Sequence, residues 1–499
     1  MLLLLLLSCS ADRNDKVDSD DTAIETAGDD GATSEDGSDD GADSGADSDV
    51  GGGDDSDTDT GDAVDSDAPV YKTPQIGEVT ARLHDELRTL IYVEWEQLEA
   101  ATVSVEFSVD EGDWRATPAV DAGPGLQSHL LLGVPFDTEA QYRVVNDFGQ
   151  GPLAGEVGAF RTDTAPGDMP QVTAVAGDAT QWDPDSSYFF LSITEPGRGN
   201  AAIGEDWWVV IVDRQGRVVW ARETPEATSF HPRLSYDGTE LLVDHATFWS
   251  LFDFGAASRI VRMTIDGAEV ATYDTPGLHH PFTELPDGSI VWAAQDGSNE
   301  TLQKLPGGGG PQEQLWDCRA YVAPIDPRAT CGSNALSWSA ATDTFLFSLY
   351  TESTIFEIDH ATGETLRYFG QLAGSWAFDP VGSYFNWQHG GHYTEAGTLL
   401  VSSAENVLPG GMVLREFRVD EATETLTEIW SLGVGEGIDS LYFGEPHRLG
   451  NGSTIQNTGD LPMMREALPD GTIVWEIAWH EDHWLGRSTP IADLYALAP

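Results

Sequence analysis

The chain has 499 residues, of which 40% are hydrophobic and 10% aromatic, enough apolar side chains for more than one folded domain. It carries 85 acidic residues against 24 basic ones, a formal net charge of -61 at pH 7. Nucleic acid is excluded as a partner, since phosphate binding needs a basic surface. Residues 1–69 hold 22 of the acids and 2 of the bases, so the remaining residues keep 63 against 22. Such a surface is tolerable where salt screens it, which is typical of a saline habitat.

The N-terminus reads Met1, six leucines, Ser8 and Cys9, an apolar run too short to span a bilayer. The string Leu6-Leu7-Ser8-Cys9 resembles the bacterial lipobox, in which the signal is cut before a cysteine that takes the lipid anchor. We therefore predict a lipoprotein-type signal over residues 1–10. A longer signal clipped by a misassigned start codon is the alternative. Both export the chain to the periplasm or the cell surface, with the outer membrane as the expected site and the anchor as the only membrane contact.

Residues 11–69 consist mainly of Asp, Ser, Gly, Thr and Ala, with almost nothing to bury. This composition predicts a disordered, self-repelling acidic linker. Its DSDTDTGD stretch lacks the spacing of an EF-hand loop, which favours a solvated linker over a calcium site.

Short alternating runs fill residues 72–164 and are separated by Gly, Pro and Asp turns. Examples are Leu90-Ile91-Tyr92-Val93-Glu94-Trp95 and Tyr142-Arg143-Val144-Val145. This pattern predicts a small β-sandwich that looks like a fibronectin type III or immunoglobulin-like module. The expected role is that of a spacer.

A longer motif repeats over residues 172–499, in which apolar strands alternate with Asp-Gly or Asn-Gly hairpin turns. Several turns are followed by a strand that ends in tryptophan, as at Trp220, Trp292 and Trp475. One such sheet cannot cover its own faces, but a closed ring of sheets can. We therefore predict an all-β chain in which the sandwich is followed by a six-bladed β-propeller. Five or seven blades stay open, because the segment after Trp475 forms either a closing strand or part of another blade.

Histidines recur in phase with these repeats. His231, His280, His389 and His447 each stand at or just before the strand that leads into the turn, and Asn334 takes this place in the third repeat. If that strand is the innermost of its blade, the imidazoles converge on one end of the central channel. A single histidine there would be read as a hydrogen-bonded turn residue, but four in phase favour a functional site.

Four strings in the repeats resemble the bacterial arylsulfotransferases. They are Leu278-His279-His280-Pro281-Phe282-Thr283-Glu284-Leu285-Pro286-Asp287-Gly288, Phe385-Asn386-Trp387-Gln388-His389-Gly390-Gly391-His392, and Arg448-Leu449-Gly450-Asn451-Gly452 with Gly471-Thr472-Ile473-Val474-Trp475-Glu476.

The resemblance implies a ping-pong transfer of a sulfuryl group from a phenolic sulfate to a phenol, without phosphoadenosine phosphosulfate or another cofactor. His389 would be the transiently sulfated nucleophile, and His279 or His280 would stabilise the sulfuryl oxygens or assist proton transfer. The substrate-binding residues would be His231, His447, Arg448 and Asn334.

The chain departs from the family's pattern at two positions. Gly332 stands where the family usually has a histidine, and Tyr350 stands where it usually has an anion-binding arginine. Either His231, Arg233 and Arg448 replace these cationic donors, or the site is retuned or has lost sulfuryl transfer.

Two other functions remain open from the sequence. A non-catalytic surface propeller that binds glycan or protein is the main alternative, and a quinoprotein-like propeller is a minor one. A pocket lined by convergent polar side chains would favour an enzyme, whereas a plugged channel with an exposed aromatic face would favour binding.

The last two features of the sequence concern metal and sulfur. His480-Glu481-Asp482-His483 resembles half a metal site but is better explained as a polar closing loop, so no metal is expected. Cys318 and Cys331 form an isolated pair, and in an exported protein a disulfide is the default, with a catalytic cysteine as the weaker interpretation.

Overall fold

Strands dominate every part of the chain that the structure describes. The computed structural model describes residues 69–194, 207–225, 227–250, 253–297, 299–405, 411–440, 442 and 444–498. The predicted all-β fold, a sandwich followed by a propeller, is confirmed. Two short α-helices, α1 (Thr247–Ser250) and α2 (Cys318–Val322), and three 3-10 turns, Ala179–Gln181, Tyr350–Glu352 and Leu494–Leu497, interrupt the described strands.

The N-terminal sandwich has two antiparallel sheets, one formed by β1, β2 and β6 and the other built on β3 and β7. Alternation along β2 buries Ile91, Val93 and Trp95, and these pack against Val105 and Phe107 of the second sheet. The strands are β1 (Ile76–Leu83), β2 (Ile91–Gln97), β3 (Ala101–Val109), β4 (Arg115–Ala116), β5 (Val120–Ala122), β6 (Gly125–Leu131), β7 (Glu139–Asp147), β8 (Pro152–Ala154) and β9 (Gly158–Arg161).

The propeller consists of six sheets among the described residues, each with four or five strands. Its strands are β10 (Val172–Gly177), β11 (Tyr188–Thr194), β12 (Trp207–Asp213), β13 (Val218–Thr224), β14 (Arg233–Leu234), β15 (Leu241–His245), β16 (Arg259–Met263), β17 (Glu269–Asp274), β18 (Leu278–Glu284), β19 (Ile290–Asp296), β20 (Asn299–Leu305), β21 (Glu313–Asp317), β22 (Ser333–Ser339), β23 (Thr344–Leu349), β24 (Thr354–Asp359), β25 (Thr365–Gly370), β26 (Ala377–Asp379), β27 (Asn386–Tyr393), β28 (Leu399–Ala404), β29 (Met412–Asp420), β30 (Thr425–Leu432), β31 (Glu445–Arg448), β32 (Thr454–Asn457), β33 (Met463–Ala467), β34 (Ile473–Trp479) and β35 (Trp484–Ile491).

The first and last propeller strands close the ring by exchanging blades. β35 pairs with β11 and completes the sheet of β11, β12 and β13, whereas β10 pairs with β34 and forms the outer edge of the last sheet. The segment after Trp475 therefore supplies a closing strand. β14, β18, β22, β27, β31 and β35 form an inner ring in which each strand contacts the next, β14 meeting β18 through a hydrogen bond from Arg233 to Phe282 O.

The repeated tryptophans explain how the blades hold together. Trp220, Trp292 and Trp475 are buried, with no more than 1% of each side chain exposed. The indole of Trp220 donates to Ile265 O at 2.8 Å and that of Trp475 donates to Arg214 O at 2.9 Å, so each crosses to the neighbouring blade. Each indole buries a large apolar area and still satisfies its N–H, which suits the seam between two sheets.

The sandwich packs directly on the propeller within one compact unit, Lys72–Pro499. Leu87, Leu90 and Leu132 of the sandwich share a core with propeller residues that include Phe190. The hydroxyl of Tyr495 accepts from the Leu132 N–H at 3.2 Å and donates to Leu130 O at 3.3 Å. The C-terminal 3-10 turn therefore ties the sandwich to the ring.

The predicted disulfide is confirmed. Cys318 and Cys331 are bonded, both are buried, and they connect α2 to the loop before β22. Across the described ranges, we find no helix with the length and hydropathy needed to cross a membrane.

Candidate functional site

The inner ring brings the predicted histidines together at the centre of the propeller. A small cavity of about 10 Å³ is lined by side chains from different blades, and we call it the histidine pocket. Its walls are Phe230, His231, His280, Asn334, His389 and Arg487. Four of the six were predicted as site residues from their phase in the repeats.

A larger cavity lies next to the histidine pocket and shares His231 and Arg487 with it. Its volume is about 270 Å³, and we call it the arginine chamber. It is lined further along the inner strands by charged, imidazole and aromatic side chains, among them Arg233, Trp338, His392, Tyr393, Glu445 and His447.

His389 is held in a form suited to nucleophilic attack. Its Nδ1 lies 2.8 Å from Trp387 O, and a carbonyl only accepts, so Nδ1 carries the proton and the lone pair is on Nε2. Burial and the charge of Arg487 lower the pKa of His389 to about 3, although the backbone bond opposes this. The imidazole is therefore neutral at physiological pH, and its ring stacks on Tyr350 at 5.8 Å between centroids.

His279 and His280 form a chain of hydrogen bonds with Glu300. The Nε2 of His279 donates to Glu300 Oε1 at 2.7 Å, and the Nδ1 atoms of the two histidines share the next bond. When His279 is neutral, its Nδ1 accepts, so His280 donates from Nδ1 and keeps its lone pair on Nε2. Burial and the neighbouring His279 lower the pKa of His280 well below its usual value. This series of hydrogen bonds places a neutral base, His280, in the wall of the histidine pocket and connects it through His279 to the carboxylate of Glu300.

A buried carboxylate fixes the turn that carries His231. Asp244 on β15 accepts from the Ser229 hydroxyl at 2.9 Å and from the backbone N–H groups of Phe230 and His231 at 2.8 and 3.0 Å. Burial raises the pKa of Asp244 to about 6 in spite of these three donors. Burial and the charges of Arg233 and Arg487 lower the pKa of His231 well below its usual value, so this imidazole is neutral too.

Arg487 on β35 supplies the cation of the histidine pocket. Its guanidinium donates to Asn334 O at 2.8 Å, to His389 O and to Glu445 Oε2 at 3.2 Å. Burial opposes the charge of Glu445, yet His447 and Arg487 hold the pKa of this carboxyl well below its usual range. The guanidinium thus links its own strand, β35, to strands of three other blades and places a positive charge beside His389.

Asn334 lies in the histidine pocket as predicted, and its amide is used for structure. Its Nδ2 donates to Gln388 O at 2.7 Å, and its Oδ1 accepts from the Ser348 hydroxyl at 3.1 Å. These bonds hold β22 beside the backbone that carries His389.

The two positions that depart from the family pattern carry no positive charge. The N–H of Gly332 donates to the Thr351 hydroxyl at 2.9 Å, and a Cβ at Gly332 would lie 2.6 Å from a carbon of Thr351. Tyr350 stacks on His389. Arg233, which the sequence offered as a replacement cation, lines the arginine chamber. Arg487 lines it too, and the sequence did not indicate this residue.

Arg448 does not lie at the site, which corrects the expectation that it binds substrate. Residues alternate between the two faces of a strand, and on β31 Glu445 and His447 face the arginine chamber. Arg448 points to the other face, where its guanidinium pairs with Glu416, donates to Gly452 O at 2.9 Å and lies over Trp430. His447 reaches the chamber with its Nε2 3.2 Å from Glu445 Oε1.

The remaining candidate positions lie away from the channel or outside the described residues. His480 pairs with Asp482 in the exposed turn between β34 and β35, and His483 Nδ1 donates to Thr194 O at 2.9 Å. No group of three or more His, Cys, Asp or Glu side chains suited to a metal occurs in the part of the chain that the structure describes. Cys9, the predicted signal over residues 1–10 and nearly all of the predicted linker lie outside the described ranges.

The site includes three charged residues that were not singled out from the sequence: Glu300, Glu445 and Arg487. Glu300 and Glu445 offer no motif of their own among 85 acidic residues. Arg487 belongs to a strand without an Asp-Gly turn, so the repeat pattern does not mark it. Recognising that strand as the inner strand of the closing blade would have placed Arg487 opposite the histidines.

Comparison with known proteins does not identify a family for this chain. No family model and no curated protein matches this chain. A Bacteroides caccae protein of unknown function is similar at 14% identity and a TM-score of 0.42, over 61% of this chain and 100% of that one. TolB from Acinetobacter baumannii matches at 11% identity and a TM-score of 0.38, over 72% of this chain and 80% of that one. A catalytically inactive virginiamycin B lyase from Staphylococcus aureus, solved with quinupristin, matches at 14% identity and a TM-score of 0.35, over 64% of this chain and 99% of that one.

Proposed function

We propose that this protein transfers a sulfuryl group from a phenolic sulfate to a phenol through a covalent intermediate on His389. The observation that carries the proposal is the state of His389, a neutral imidazole whose Nδ1 proton is held by Trp387 O, beside the guanidinium of Arg487. An imidazole lone pair attacks electrophilic sulfur, and fixed donors stabilise the negative charge on the sulfuryl oxygens. Arg487 takes the place of the cationic donors missing at Gly332 and Tyr350.

In the first half-reaction, the Nε2 lone pair of His389 attacks sulfur. A bond forms between nitrogen and sulfur, the bond between sulfur and the phenolic oxygen breaks, and its electron pair leaves with the phenolate. In the second half-reaction, an acceptor phenol attacks the same sulfur, the bond between nitrogen and sulfur breaks, and its electron pair returns to Nε2. His280 takes the proton of the attacking hydroxyl, and the bonded pair of His279 and Glu300 stabilises the charge that His280 gains.

The test is substitution of His389 with a matched control elsewhere. His389→Ala should abolish release of a chromogenic phenol from an aryl sulfate, with little loss of folding as measured by circular dichroism. Incubation of the wild type with donor alone should add one sulfuryl group, about 80 Da, to the peptide that contains His389, as covalent catalysis requires. His480→Ala in the exposed turn should keep wild-type turnover. An active wild type whose His389→Ala variant keeps full turnover would refute the assignment.

A non-catalytic propeller is the second candidate, and the small volume of the histidine pocket favours it. About 10 Å³ holds roughly one water molecule and no phenyl ring, so a donor enters only if side chains move. A wild type that releases no phenol from any aryl sulfate would favour this candidate over sulfuryl transfer.

We also propose that the chain is exported and anchored by a lipid on Cys9. The Cys318–Cys331 disulfide supports export, since such bonds persist in oxidising compartments. The full chain expressed in a bacterium should partition with the membrane fraction, and Cys9→Ser should move it to the soluble fraction. Equal partitioning of the two proteins would contradict the anchor.

A further inference from the structure

The arginine chamber has a charge that the proposed chemistry at His389 does not use. Arg233 lines it and donates to Phe282 O at 2.6 Å, and no carboxylate of the described chain lies within 4.0 Å of its guanidinium. Burial lowers the pKa of Arg233, and the nearby charge of Glu445 partly offsets this effect. A guanidinium nevertheless keeps its proton at any physiological pH. Arg233 is only partly buried, and a guanidinium that lines a cavity without a contacting carboxylate offers its donors to an anion that enters the cavity.

The net charge of the chamber wall sets the charge of the occupant. Arg233 and Arg487 are cationic and Glu445 is anionic, as the lowered pKa of its carboxyl requires. Burial and neighbouring His447 lower the pKa of His392 to about 4, so it is neutral, and the pKa of His231 is also lowered by burial. Apart from its histidines, the wall therefore carries one more positive charge than negative charges, which one monoanion neutralises.

Two aromatic residues also line the chamber, and they set the shape of the occupant. Trp338 and Tyr393 line it, and their polar atoms are engaged elsewhere, since Trp338 Nε1 donates to Asp343 Oδ1 at 3.1 Å and the Tyr393 hydroxyl donates to Glu357 Oε2 at 2.7 Å. Their rings, and not their polar atoms, are thus available to a ligand. A volume of about 270 Å³ is just under the range of roughly 300–1,000 Å³ typical of pockets for drug-sized ligands.

We propose that the arginine chamber is a binding site for a one-ring aromatic carboxylate. The carboxylate pairs with the planar guanidinium of Arg233, and the ring lies beside Trp338 and Tyr393. The site needs neither His389 nor a sulfuryl group, so it stands independently of sulfuryl transfer.

Calorimetric titration of the full-length protein with benzoate in chloride-free buffer tests the site. Benzoate should bind with a stoichiometry of one, and roughly tenfold or more tighter than either acetate, which lacks the ring, or benzamide, which lacks the charge. Arg233→Gln should weaken benzoate binding by a similar factor. Arg328→Gln, at an exposed position, and His389→Ala should both bind benzoate like the wild type.

A second variant keeps the test decisive if Arg233→Gln does not fold. Trp338→Ala leaves Arg233 in place and should weaken benzoate several-fold while leaving the weak binding of acetate unchanged. Equal affinities for benzoate and benzamide, or benzoate affinity unchanged in Arg233→Gln or Trp338→Ala, would overturn the proposal. Since benzoate is neither donor nor acceptor, these results do not depend on whether sulfuryl transfer occurs.

Discussion

At the scale of single residues, the site is defined by which nitrogen carries a proton. In His389 the bond to Trp387 O fixes the proton on Nδ1. In His280 the bond between His279 and Glu300 fixes the tautomer, because it leaves the Nδ1 of His279 as an acceptor. Neither Trp387 nor Glu300 lines the histidine pocket or the arginine chamber. In the proposed reaction the two imidazoles therefore have different roles, attack on sulfur for His389 and proton removal for His280.

Glu300→Gln separates these two roles. The substitution keeps the shape of the side chain and removes the charge that stabilises protonated His279 and His280. We expect transfer to a phenol acceptor to slow roughly 10- to 100-fold, because general-base assistance is lost, while sulfation of His389 by a donor with a good leaving group continues. Rapid-mixing measurement of the first turnover against the steady state separates the steps. Glu352→Gln is the control, and equal loss of both steps would contradict the role of Glu300.

At the scale of elements, β15 positions the short β14 through one buried carboxylate. Asp244 satisfies three donors of the segment before β14, a segment too irregular to satisfy them by strand pairing. The disulfide has a similar function for the loop between α2 and β22, and closing a loop of 13 residues stabilises the fold by about 3 kcal/mol. Residues near the inner strands are thus fixed by local bonds.

Asp244 should make stability depend on pH. Its pKa is raised in the fold to about 6 from an ordinary 3.8, so the folded state keeps this proton between the two values while the unfolded state loses it. The stabilisation is fully present below about pH 4 and is lost as pH rises through 6, a change of about 3 kcal/mol. Urea unfolding of wild type and Asp244→Asn across pH 4–7 measures it. Parallel pH curves for the two proteins would show that Asp244 does not titrate this way.

Sequence patterns predicted the architecture well because it is repeated. Hairpin turns recur along the propeller, three of them followed by a tryptophan, and the phase of the repeats placed His231, His280 and His389 in one pocket. The errors fall where the repeat gives no signal. Arg448 follows His447 directly, and only the register of β31 shows that it faces the other way. Arg487 lies in a strand whose blade partners are about 290 residues earlier in the chain, a pairing that local periodicity cannot reveal.

At the scale of the whole molecule, the central site and the rest of the chain have charges of opposite sign. The 430 residues after the linker carry 63 acids against 22 bases, while the arginine chamber is cationic. Long-range repulsion acts on any anion that approaches, and the local guanidinium groups act only once the anion is inside.

Activity should therefore rise with ionic strength. We expect kcat/KM for an anionic aryl sulfate to increase between low and molar NaCl, because screening shortens the reach of the repulsion from about 30 Å at 0.01 M to about 3 Å at 1 M. The KM of an uncharged phenol acceptor should change little, and this comparison is the internal control. A kcat/KM that falls with salt for the donor would show that attraction, and not repulsion, governs its approach.

Because β35 closes the ring, the first blade and the histidine pocket are completed late in synthesis. The histidines of β18 and β27 leave the ribosome well before Arg487, because β35 is the last strand of the propeller in chain order. Until then the first blade lacks its inner strand and the pocket lacks its cation. A chain that stops before β35 therefore leaves the ring open and lacks the cation that the proposed reaction uses.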